Sequence, residues 1–274
     1  MSSTVKIIRN NAKQILALTE KTVKLDLRYK FGIILDFLTP IIAIAMPLLV
    51  MNAFFSYNAD FGPWNTTNYL IYQFVAYEIY LLKGSMNKFP SQFRIEKYWK
   101  TFPVMIIAPM NRFNLLFGIF LCHLVIIAIP FSIFFIISYI VFPISFITAI
   151  FYVLNCVIIA IIFSGIGLIL CVFAVSNENI WHILTFGLNV VFWLSCITYP
   201  YQIFIPQIQT IINLNPLYYI FDYLRLFWIE DNFLLSITLH PVNVLVFGIT
   251  ALVLPLLGVY IFNTTYKKLG IVGY

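Results

Sequence analysis

The sequence predicts an all-α membrane protein, a single domain over 1–274 with six transmembrane helices and both termini in the cytoplasm. Three observations lead there. Of 274 residues, 62% are hydrophobic and only 9% charged, whereas a soluble domain carries about 25% charged residues. Six apolar runs, roughly 32–56, 67–87, 113–141, 145–175, 180–200 and 242–265, reach the length of about 20 residues that crosses about 30 Å of hydrocarbon. The basic residues lie almost entirely on alternate links between those runs, which sets the orientation.

The segment before the first run holds Lys6, Arg9, Lys13, Lys21, Lys24, Arg28 and Lys30, and the link between the second and third holds Lys83, Lys88, Arg94, Lys97, Lys100 and Arg112. Lys267 and Lys268 follow the last run. With the N-terminus inside, only Arg225 of the 16 basic residues is external. A charge of +6 spread over several cytoplasmic edges is a topology signal, so nucleic acid is not an expected partner; membrane lipid is. The first 30 residues lack the short apolar core of a cleaved leader.

The third and fourth runs are separated only by the Phe142-Pro143-Ile144 corner and form a tight antiparallel pair. Residues 4–30 read as an amphipathic helix lying in the interface plane, with Val5, Ile8, Ile15, Leu16, Val23 and Leu27 on one face. In the cytoplasmic link, Pro90-Ser91 opens a helix over 91–101 with Ser91 near the N-cap. Arg94, Glu96, Lys97, Tyr98, Trp99 and Thr101 then make either a docking surface or an aromatic interface anchor.

The external segment from Tyr201 carries two half-helices within 201–230. Asn215 caps the second and Pro216 fits its first turn. Leu217, Ile220, Phe221, Leu224, Phe227 and Trp228 form one apolar stripe, and Asp222 and Arg225 can pair on the opposite face. The segment either re-enters the membrane or lies flat on the outer leaflet.

Polar residues inside the runs are candidates for a pathway. Glu78 lies near the middle of the second run among Tyr72, Tyr77 and Tyr80, where it can line a pathway, pair with His123 or stay protonated against a carbonyl. Asp36 is close enough to Arg28 and Lys30 for interfacial pairing. Cys122, Cys156, Cys171 and Cys196 lack metal or redox spacing and read as small buried hydrophobes. The sequence offers no expected metal site, no catalytic constellation and no GxxxxGK[ST] phosphate loop.

The order of these segments resembles the permeases of ABC exporters in the type-2 membrane-domain family. The residues that carry the resemblance are Arg94-Ile95-Glu96, Lys100-Thr101-Phe102-Pro103 and Ala108-Pro109 before the third run, and Asn215-Pro216 followed by Arg225 outside. Lys100 stands where that family usually has glycine, and Phe102 and Pro103 also depart from its usual Leu and Glu. The resemblance implies that 4–30 is a connecting helix, 91–101 a coupling helix and 201–230 a pair of gate helices. It further implies a plasma-membrane, multi-pass exporter subunit with no enzymatic or cofactor site of its own. ATP-Mg would bind a separate ATPase subunit, and the permease would act as a homodimer or heterodimer. The cargo expected is amphipathic or lipid-linked: a glycan, a lipid or a drug. A secondary transporter and a non-transporting scaffold are the competing readings.

Overall fold

The computed structural model describes residues 3–56, 61–101, 111–176 and 178–271. The described chain is built of α-helices, with one 3-10 turn at Tyr201–Ile203 and no named strand. In chain order the helices are α1 (Ser3–Asp26), α2 (Lys30–Ser56), α3 (Tyr69–Tyr98), α4 (Arg112–Val141), α5 (Phe146–Ser176) and α6 (Glu178–Trp193). Then follow α7 (Pro206–Ile212), α8 (Pro216–Glu230), α9 (Phe233–Leu239) and α10 (Pro241–Ile271).

Within α2, α4, α5 and α10 lie segments both long and apolar enough to cross a membrane. The second and fifth runs behave differently. Helix α3 has the length, but Gln73, Glu78 and Lys83 make it less apolar, and its whole inner face is buried. Helix α6 is apolar but stops after 16 residues, a rise of about 24 Å. Beyond it the chain runs on without α-helix from Leu194 to Pro200, where the sequence predicts helix.

Helix α5 is the centre of the bundle, with α3 packed along one side and α10 along another. Glycines set these approaches. A Cβ on Gly167 would stand 2.5 Å from the Met86 carbonyl oxygen, and one on Gly165 would stand 2.7 Å from the Leu254 carbonyl. Small residues let helix backbones touch where lipid supplies little hydrophobic driving force.

The same contact explains why α3 is longer than its sequence suggests. Pro90 neither ends α3 nor begins a new helix; α3 runs through it to Tyr98. Proline at 90 removes the N–H that would bond the Met86 carbonyl. That oxygen lies against Gly167, where only a residue without Cβ leaves it room. The expected helix over 91–101 is thus the end of α3, without an N-cap at Ser91.

Helix α1 ends at Asp26, and residues 27–29 turn the chain into α2. It packs against α4 through Leu18, which sits where a Gly118 side chain would otherwise go. Thr19 Oγ1 donates to the Gly118 carbonyl at 3.2 Å. Asn114 Nδ2 donates to Asn11 Oδ1 at 3.0 Å and to Gln14 Oε1 at 2.7 Å. One face of the amphipathic helix is therefore held by protein, and Ile8 and Leu16 remain exposed on it.

Candidate functional site

The irregular backbone after α6 is held by a ring of side chains. Tyr72 donates its hydroxyl to the Cys196 carbonyl and, at 2.9 Å, to that of Tyr199. Arg225 donates from Nη1 to the Cys196 carbonyl at 2.9 Å and from Nη2 to the Ile197 carbonyl at 2.5 Å. Tyr69 and Gln73 both donate to the Thr198 carbonyl at 2.9 Å. Four consecutive carbonyls are thus satisfied by α3 and α8. Backbone without helical bonds is tolerated at membrane depth only when its polar groups find such partners. Cys196 adopts φ 55°, a left-handed conformation unusual for a residue with a side chain.

Arg225 is 1% exposed, so it is not on a solvent-facing side opposite the apolar stripe. Its guanidinium lies 3.7 Å above the Tyr72 ring centroid, a desolvated cation–π contact. Asp222, its expected partner, instead accepts from Asn243 Nδ2 at 3.1 Å. Burial pushes the Asp222 carboxyl above its ordinary value, opposed by the charge of Arg225 and the bond from Asn243. A cavity of about 220 Å³ opens here, lined by Trp64, Tyr201, Tyr218, Asp222, Arg225 and His240 among others.

The expected start of α8 matches the structure. Asn215 accepts from the Leu217 N–H at 3.1 Å and also donates to the Val191 carbonyl at 2.8 Å, while Pro216 is at N1. All six residues of the apolar stripe are buried. Upstream, the helical segment is α7, only seven residues long. The short α9, capped by Asn232, was not apparent from periodicity.

Midway along α3, Glu78 is 1% exposed and its Oε2 accepts from the Tyr152 hydroxyl of α5. Its partner is neither His123 nor a backbone carbonyl, and Oε1 has no partner among the described residues. Of the tyrosines proposed for a pathway, Tyr72 is committed to the carbonyl ring just described. Tyr77 stacks on Phe134 at 3.6 Å between centroids and donates to the Phe37 carbonyl at 3.4 Å. Both are 1% exposed, and Tyr72 also lines the cavity beside Asp222 and Arg225. Tyr80 is half-buried beside the cleft between α2, α3 and α4. Asp36 lines that cleft too, rather than pairing with Arg28 or Lys30. All four cysteines are buried and free.

At its other end, α3 closes on a second polar cluster. Glu96 is 3% exposed and accepts from Lys21 of α1 at 3.3 Å, from Gln92 at 3.1 Å and from the Thr101 hydroxyl. It is an internal hub, not the exposed charge the sequence suggests. Lys97 donates to the Val175 carbonyl at 2.7 Å, at the end of α5. Arg94 lies 5.9 Å from the Trp181 ring centroid. Tyr98 is 84% exposed and Trp99 49%. They are the members of the expected docking set that present large rings outward.

The helix ends in a Schellman motif. Thr101 N–H bonds the Glu96 carbonyl at 3.0 Å and Lys100 N–H bonds that of Lys97 at 3.1 Å. Lys100 takes φ 57°, the conformation for which glycine is usually selected. The matching run from Phe102 to Pro109 lies outside the described residues.

The model of the ABC-2 type transporter family matches residues 13–227, more than half of the chain. No curated protein matches the sequence.

Proposed function

We infer that this chain, which belongs to the ABC-2 type transporter family, is the permease subunit of an ATP-driven exporter. The family match over 13–227 is the observation that carries the reading. In it, two permease subunits, alike or related, pair with two separate ATPase subunits at the plasma membrane. Six spans place both termini inside, α3 and α6 completing the set within a bundle that shields their polar groups. ATP is bound and hydrolysed by the partner, and the cargo is an amphipathic or lipid-linked glycan, lipid or drug.

The geometry supplies a mechanical reason. Helix α3 carries Tyr69, Tyr72 and Gln73 of the external ring at its start and Gln92 and Glu96 of the cytoplasmic hub at its end. Thirty residues rise about 45 Å. One uninterrupted helix therefore joins the two places where coupling to ATP and opening to the outside would occur. Small shifts at an effector site become useful only through such rigid elements with discrete packings. ATPase closure against Tyr98 and Trp99 would move α3 and disturb the ring that holds 196–199.

An ion-coupled carrier is the rival. Its coupling would require paired intramembrane charges, and Glu78 is partnered by a tyrosine hydroxyl. Purifying the tagged chain from its host membranes tests the reading: a separate ATPase should be recovered with it. Transport by a stable complex that contains no ATPase would overturn it.

A further inference from the structure

We infer that the cleft between α2, α3 and α4 binds an amphiphile whose polar end is an ammonium group. The cleft has a volume of about 520 Å³, and Tyr29, Asp36, Phe37, Tyr80, Lys88 and His123 are among its lining residues. It extends along α2 to Ala43 and along α4 to Ile127, so a polar entrance is continuous with an apolar wall.

The charge and hydrogen-bonding state of the lining select the ligand. Both lysines are already committed. Lys88 is ion-paired with Asp26, and Lys83 turns its ammonium to Asn189 Oδ1 at 2.8 Å and to the Phe192 ring at 4.2 Å. What remains is one unpaired carboxylate. The four charged groups of the lining, Asp26, Asp36, Lys83 and Lys88, sum to zero, but the exposed Asp36 carboxylate is the one with no hydrogen-bond or ion-pair partner among the described residues. Pro40, which also lines the cleft, has no N–H to offer the Asp36 carbonyl. His123 also lines the cleft, and its Nε2 is buried without a partner among the described residues.

An anionic headgroup would find both ammonium groups engaged and only neutral donors, on Tyr29, Tyr80, Asn87 and Ser91, beside the Asp36 carboxylate. An ammonium brings up to three N–H donors and a charge attracted to the faces of Tyr29, Phe37 and Tyr80. Asp36 would neutralise it at a depth where an unpaired charge is costly. The ammonium could belong to an aminophospholipid or to a foreign amine. This assignment deepens the permease reading by naming a cargo class, and its meaning for transport rests on that reading.

The test is equilibrium binding of radiolabelled dodecylamine to the full chain in phosphatidylcholine nanodiscs. Saturable binding is expected, weakened about tenfold or more by Asp36→Asn, as loss of a charge-assisted hydrogen bond implies. His123→Phe, which keeps ring volume but removes the acceptor, should also weaken it, whereas Lys83→Gln should not. Melting temperatures report that each variant is folded. Competition when phosphatidylethanolamine replaces part of the phosphatidylcholine would identify a lipid source; its absence would identify a foreign amine. Dodecyl sulfate binding as tightly as dodecylamine, or folded Asp36→Asn and His123→Phe variants binding unchanged, would overturn the site. Transport by a stable complex that contains no ATPase would instead overturn the permease reading and leave dodecylamine binding untouched.

Discussion

The two ends of α3 hold charge in opposite ways. At the external end, Arg225 is buried over an aromatic ring and donates to main-chain carbonyls. At the cytoplasmic end, the Glu96 carboxylate accepts only from side chains, one of them a lysine that is 54% exposed. The first arrangement fixes backbone that has no other hydrogen bonds. The second fixes one helix against another, and its members can exchange partners with water or protein. A motion entering at the Glu96 end therefore meets the softer set of bonds first.

Removing Arg225 should cause the largest loss. Arg225→Ala leaves the Ile197 carbonyl without its donor, at about 1–3 kcal/mol, and removes one of the two donors to Cys196, so the solubilised protein should melt at a clearly lower temperature. Arg225→Lys should recover less than half of that loss, because one ammonium cannot reproduce the guanidinium fork. If Lys restores full stability, the external ring depends on charge alone.

Glu96→Gln should cost less, about 1–2 kcal/mol, as charge-assisted bonds become neutral ones. Lys21→Ala should cost under about 1 kcal/mol, because the lysine is largely exposed. Equal losses for Glu96→Gln and Arg225→Ala would erase the contrast between the two ends.

Gly167→Ala tests the rigidity between them. Its Cβ would press on the Met86 carbonyl, and overpacking of this kind costs about 1–3 kcal/mol. Lys100→Gly should act in the other direction, stabilising by up to about 1 kcal/mol by relieving the left-handed conformation. Trp99→Ala should leave the melting temperature unchanged while reducing recovery of the ATPase.

The smallest effect concerns pH. A carboxyl raised above its ordinary value favours the folded state at low pH and loses that advantage as pH rises. Asp222→Asn should therefore give a small increase in melting temperature at pH 7 that disappears near pH 4.

Much of this could be read from the sequence because the relevant signals are local. Asn215-Pro216 forms a cap and first turn from adjacent residues, and the apolar runs need only composition. Pro90 misled because its freed carbonyl is accommodated by Gly167, 77 positions away. Likewise, nothing within 194–200 shows that donors on α3 and α8 will accept the loss of helix there. The burial of Arg225, by contrast, is legible in the sequence. Residues 217–228 are apolar on nearly every side, and a helix of that kind is buried all round, so its one cation must be buried as well. The hub at Glu96 escaped because the lysine that pairs with it, Lys21, lies 75 residues earlier.

The close contact at Gly167 also gives α3 a fulcrum. Met86 lies ten residues from Glu96 and seventeen from Tyr69, roughly 15 and 26 Å along the helix. A helix tilting about that point has unequal arms. Each ångström of displacement at the cytoplasmic end becomes about 1.7 Å at the outer one, with the available force reduced in the same proportion.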